Sequence, residues 1–251
     1  MTEVTPTKRT PNIFDAPDIH IPTIVIGIDA ETKSTRADAY PVAIGAGAWD
    51  IATMRLIATH YQTIDPNDEK AKAIFHEDPY TMAWWRGEGD NPDYAPSREA
   101  YAEAFSGTMP MPEALWGMYN FLEKFKSHKV ALTMRGPEFD QPILMNAFAQ
   151  CDVPTSLLKR FSMLDSDRTA ERIMHAFNLT PDYRAESHNW TRGKDAYLHH
   201  ACFDAAREGY ITARIYHLAL IARLHGFDRM LEAHNQLMTG EYTAVDYLRE
   251  E

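Results

Sequence analysis

The sequence predicts an α/β domain built on one mixed five-stranded sheet flanked by helices. Three observations predict it. Segments 23–29, 40–49 and 53–63 are rich in β-branched and aromatic residues and follow one another closely, which reads as an antiparallel meander. Two further strand-like segments, 129–134 and 159–164, each lie between helical periodicities, the pattern of parallel strands reached through crossovers. Hydrophobic residues make up 45% of the 251, enough to bury a substantial core.

Each element follows from local chemistry. Thr23-Ile24-Val25-Ile26-Gly27-Ile28-Asp29 is a buried strand by composition and length, and it ends in the acidic pair Asp29 and Glu31. A turn at Asp50 separates the second and third strands. Residues 67–86 read as one helix with Trp84 and Trp85 near its end, and 87–98, rich in Gly, Pro, Asn and Asp, as a loop. Leu115, Met118, Phe121, Leu122 and Phe125 recur at helical spacing over 111–127, with Pro112 suited to the first turn. A Gly-Pro turn after strand 129–134 leads to a helix opened by Asp140 and running to Cys151. Asp165-Ser166 reads as the N-cap of helix 167–177. Residues 180–196 form a second loop, 198–225 a long helix and 227–247 a last one. The chain thus divides into an extended arm (1–20), a main domain (21–225) and a helical tail (226–251) packed on that domain.

Composition narrows the function. The net charge of −11 argues against a protein that coats nucleic acid through a broad basic face, but not against an enzyme that meets phosphate through bound metals. Cys151 and Cys202 form no metal-type pair and read as small buried hydrophobes. No apolar run is long enough for a membrane span, and the first residues lack the apolar core of a secretory signal, so the expected setting is the cytoplasm.

The chemistry is carried by acids. Asp29 and Glu31, two apart on a strand, point the same way, and such a pair is costly unless a hard cation neutralises it. Asp140 follows the fourth strand. Asp204 falls in the first turns of the long helix, five residues after His199. Taken singly, each has a bland explanation: a solvated strand end, a helix N-terminal acid favoured by the macrodipole, a surface histidine. Their order along one chain does not.

IGIDAET, FDQPIL and HHACFDAA resemble, in order, the three motifs of the DnaQ-like (DEDDh) 3′→5′ exonucleases. TMAWW at 81–85 and MRGPEFDQPIL are similar to the RNase T-like branch that holds phage exonuclease A and small bacterial 3′ exoribonucleases. The resemblance covers residues 22–222. It implies a ribonuclease H-like fold and two Mg²⁺ or Mn²⁺ ions held by Asp29, Glu31, Asp140 and Asp204. It also implies His199 as the group that takes a proton from the attacking water. One departure is the second histidine. The spacing to Asp204 selects His199, with His200 or His188 as alternatives. By the same likeness Thr32 touches the terminal 3′-hydroxyl, and Asp165 falls where the family carries an acid. Trp84 and Trp85 either stack on bases or pack in the core, and as adjacent helical residues they are not expected to face one pocket. Arg135, Arg192 and Lys194 are candidates for phosphate contact.

The expected substrate is a single-stranded DNA or RNA 3′ end, leaning to DNA, with nucleoside monophosphates released. Homodimerisation is expected by likeness alone. The competing readings are a 3′ exoribonuclease, a catalytically silent nucleic-acid-binding adaptor, and an endonuclease or integrase of the same fold.

Overall fold

The computed structural model describes residues 21–88, 96–161, 163–182, 186, 190 and 199–239. Five strands form one sheet in the order β3-β2-β1-β4-β5. β1 (Ile24–Thr32), β2 (Pro41–Asp50) and β3 (Arg55–Thr63) form the antiparallel meander, and β4 (Val130–Met134) and β5 (Met163–Ser166) extend it in parallel. This is the ribonuclease H-like arrangement expected. The helices are α1 (Glu69–Lys72), α2 (Pro79–Trp85), α3 (Arg98–Ala104), α4 (Met111–Glu123), α5 (Pro137–Gln150), α6 (Ser156–Arg160), α7 (Asp167–Ala176), α8 (Ala201–His225) and α9 (Phe227–Thr239).

The period of two along β1 divides the molecule into two cores. Ile24, Ile26 and Ile28 face one side with Leu115, Leu122 and Phe148 from α4 and α5. Val25 faces the other side with Tyr210, Ile221 and Met230 from α8 and α9. Gly27, Asp29 and Glu31 share the parity of Val25, so the acidic pair emerges on the α8 face. The register of β1 on β2 shifts between Glu31 and Thr32, where the strand ends beside that pair.

Helix α8 lies against the sheet at a distance that only small residues allow. A Cβ at Gly27 would stand 1.9 Å from the Ala205 carbonyl oxygen, and one at Gly45 2.2 Å from that of Ala201. The α8 residues there are alanines and Gly209, so backbone meets backbone. The Trp49 indole N–H donates to the Ala206 carbonyl at 2.8 Å across the same seam, and Thr133 and Thr212 join hydroxyls at 2.8 Å. Deeper in this core, Glu186 accepts hydrogen bonds from Tyr210 and Arg214, and Arg214 Nη2 donates to His234 Nδ1 at 2.8 Å.

Several expectations need correction. The single helix 67–86 is two, α1 and α2. The chain between them pairs with 38–40 instead, through the His76 amide to Asp38 O at 2.7 Å and the Tyr40 amide to His76 O at 3.0 Å. Asp68 and Asp78 cap the two helices, and Pro79, which lacks an N–H, opens the second. Helix α5 starts at Pro137, so Asp140 lies within its first turn and does not open it. The expected strand 159–164 begins only at Met163, because Ser156–Arg160 is helical. Of Asp165-Ser166, Ser166 stands at the N-cap position of α7, though without a capping side-chain bond, and Asp165 does not cap it. Asp165 lies on β5 and accepts from the Tyr216 hydroxyl at 2.7 Å, while the Ser166 hydroxyl donates to the Arg135 carbonyl. Cys151 and Cys202 are half-buried, not fully buried, and both remain thiols. The arm 1–20, the end of the tail beyond Thr239 and most of the loop 180–196 lie outside the described residues, as do His188, Arg192 and Lys194. Among the described residues no helix is long and apolar enough to cross a membrane.

Candidate active site

At the β1–β4 edge a cavity of about 750 Å³ opens between α2, α5 and α8. β1 brings Asp29, Glu31 and Thr32; the β4–α5 turn brings Arg135 and the first turn of α5 brings Asp140; α8 brings Asp204, with His199 just before it; α2 brings Trp84 and Trp85. All nine were singled out from the sequence, and all nine line this cavity. The ligand atoms of Glu31, His199 and Asp204 lie within 4.8 Å of one another.

The electrostatics are those of crowded acids in a dry place. Asp29 is held well above the ordinary carboxylate range by burial first, then by the charges of Glu31, Glu208, Asp140 and Asp204. Burial, with Asp204 and Asp140 adding, pushes Glu31 up to about 8. Burial pushes Asp140 up to about 7 against the amides of Ala30 and Gly136. Asp29 Oδ2 is buried without a hydrogen-bond partner. An all-carboxylate oxygen set with a bare buried oxygen suits a hard divalent cation, so the residues present fit the metal that the motifs imply.

His199 and His200 differ sharply. His199 has a left-handed backbone (φ 65°), and its N–H donates to Asp204 Oδ2 at 2.8 Å. Its ring stands edge-on to Trp84 at 4.9 Å and near Trp85 at 6.2 Å. Burial lowers its pKa, which favours the neutral imidazole that can accept a proton. His200 turns away from the cavity. It caps α8, accepting from the Phe203 amide, stacks on Tyr61 at 4.3 Å, and sits 3.3 Å from Glu103.

The expectation that the adjacent tryptophans cannot share a pocket is overturned. Trp85 is buried at the cavity floor, where its indole N–H donates to the Thr32 carbonyl at 2.9 Å, and half-buried Trp84 lies beside it. Asp78, Tyr80 and Thr81 line the cavity with them, so α2 borders it from its N-cap to its last residue. The Thr32 hydroxyl donates to the Ser34 carbonyl at 2.7 Å, so toward a ligand it can only accept. Arg135 is held at three points: its amide donates to Glu208 at 3.0 Å, its carbonyl accepts from Ser166, and its guanidinium meets Asp167 at 3.0 Å.

Sequence reasoning missed Tyr80, Phe139, Arg168, Arg207 and Glu208 among the lining residues. A signal existed for two of them. Tyr80 is four before Trp84 and Glu208 four after Asp204, so each shares its partner's helical face. Arg207 Nη2 meets Asp204 Oδ1 at 3.1 Å.

The chain matches the family model described as the 3'-5' exoribonuclease Rv2179c-like domain over residues 25–215. No curated protein matches it in sequence. Among solved structures it is similar to the nuclease domain of 3'hExo, a DEDDh family member, bound to rAMP. The identity is 10%, the TM-score 0.49, and the match covers 78% of this chain and 92% of that one. Exonuclease I of E. coli in complex with a 5cy-dA13 oligonucleotide is similar at 17% identity and TM-score 0.47, over 84% of this chain and 43% of that one. Cell-death related nuclease 4 is similar at 10% identity and TM-score 0.47, over 78% and 64%. The chain thus spans less than half of exonuclease I.

Proposed function

The chain belongs to the Rv2179c-like 3′-5′ exoribonuclease family and is a metal-dependent 3′→5′ exonuclease, and on that premise we propose that it trims single-stranded RNA, releasing nucleoside monophosphates. The observation that carries the reading is the meeting of Asp29, Glu31, Asp140, Asp204 and His199 around one cavity from three separate parts of the chain. The family description supports RNA over the DNA that the sequence reading leaned toward.

The four carboxylates would hold two Mg²⁺ or Mn²⁺ ions. When bound, such ions activate a water and offset the charge of the phosphate. The rest falls to the chain's own residues. His199, neutral and fixed by its amide on Asp204, takes the proton of the attacking water. Thr32 accepts from the terminal 3′-hydroxyl. Trp84 and Trp85 flank the terminal base and exclude water from it. Arg135, its guanidinium anchored on buried Asp167 yet 43% exposed, meets a backbone phosphate.

Digestion of 5′-labelled single-stranded RNA and DNA, with Mn²⁺ or EDTA, tests this. A ladder shortening from the 3′ end on RNA, stopped by EDTA and lost in Asp29→Ala, is expected. Faster digestion of DNA would refute the RNA assignment. Wild-type turnover in Asp29→Ala would refute the site.

A further inference from the structure

Glu208 is a buried carboxylate to which the four-acid scheme gives no task. It sits one helical turn beyond Asp204 on α8, so both project toward the β1–β4 edge. It is 1% exposed and still lines the cavity. Its Oε2 accepts from the Arg135 amide at 3.0 Å. Its Oε1 is buried with no hydrogen-bond partner, and Asp29 Oδ2 is in the same condition.

A buried carboxyl oxygen left without a partner in such a place is costly, at roughly 1–3 kcal/mol. Arg207 Nη2 meets Asp204 at 3.1 Å and Arg135 Nη1 meets Asp167 at 3.0 Å, and the Arg207 Nε, itself buried without a partner, makes no hydrogen bond to either bare oxygen. Around the cavity seven carboxylates face three arginines. Two partnerless carboxyl oxygens bordering one cavity would be satisfied by a small hard cation, which binds them in the carboxylate form.

We propose that Glu208 is a fifth acidic ligand of the metal centre, holding one of the divalent ions together with Asp29. The inference rests on the reading of Asp29 as a metal ligand. It gives the Arg135 amide a purpose, since that bond fixes Glu208 and joins α8, which carries Asp204, to the turn that leads to Asp140.

The test is Mn²⁺ uptake by the full-length protein after EDTA treatment, followed through the electron paramagnetic resonance signal of free Mn²⁺. Glu208→Gln keeps the shape and can still accept from the Arg135 amide, so only the charge is removed. Wild type should take up two ions. Glu208→Gln should keep one and bind the second about 10- to 100-fold more weakly. Two ions at wild-type affinity in this variant would overturn the proposal. If wild type digests nucleic acid with Mn²⁺ while the variant binds both ions unchanged, the Glu208 role alone fails. If wild type neither takes up Mn²⁺ nor digests with it, the exonuclease reading fails too. Melting in EDTA reports whether the variant folds. If it does not, Glu208→Asp, with its carboxylate drawn back by one methylene, carries the test: a weakened second ion is expected, and an unchanged one overturns the proposal.

Discussion

His199 and His200 are neighbours with opposite duties. His199 reaches the acids through a strained backbone, and His200 starts a helix. His199→Ala should lower turnover about 100- to 10,000-fold, with melting close to wild type. His200→Ala should lose about 0.5–2 kcal/mol of capping stability, lowering the melting temperature by roughly 2–4 °C per kcal/mol, and keep its turnover. Turnover on a labelled oligonucleotide and a thermal melt check both, and a larger rate loss in His200→Ala would reverse the assignment. The sequence could pick His199 only by its spacing to Asp204. The structure adds a physical reason, since the capping bond of His200 points its ring to Tyr61 and Phe203.

At the scale of elements, the placement of Asp204 depends on how close α8 comes to the sheet. Gly27→Ala would set a methyl 1.9 Å from the Ala205 carbonyl oxygen, and backbone cannot yield there. Overpacking typically costs about 1–3 kcal/mol. Here it should also lift Asp204 and Glu208 away from β1, so the melting temperature and turnover fall together. A Gly27→Ala protein that melts lower but turns over normally would refute that coupling. β1 was legible because its short β-branched run marks a buried strand, and α8 because its length marks a helix. The break between α1 and α2 was not, since the apolar spacing runs on through Pro79 while a tertiary pairing with 38–40 wins locally. LLKRFSM at 157–163 is a short apolar run that suits strand and helix alike. Glu208 was illegible because a glutamate on a long helix looks solvated. It is buried because the sheet, α7 and α9 all pack on α8.

For the whole molecule, the acids set a pH response. Asp140 and Glu31 titrate at about 7 and about 8 in the folded chain, above their ordinary values of 3.8 and 4.5. A carboxyl raised on folding stabilises the fold below its unfolded value, and that contribution is lost as pH rises toward the folded one. His217 works in the opposite sense. Burial pushes it down to about 4, so its stabilisation is complete above its ordinary 6.5 and lost only below that. In EDTA the melting temperature should therefore fall as pH rises from about 6.5 to about 8.5. Mn²⁺ should remove the fall by binding the folded state alone. A melting temperature that climbs across this window in EDTA would count against it. The four carboxylates of the site were readable as an ordered set of motifs. The field they create together was not, because it depends on distances that only folding sets.

That excess of carboxylates over arginines around the cavity has a practical side at the bench. A chain of net charge −11 with an acid-lined mouth repels polyanions. On a heparin column it should pass through in EDTA and be held back when the buffer carries Mn²⁺. Divalent ions would then decide whether the protein meets a nucleic acid at all, before they decide whether it cuts one.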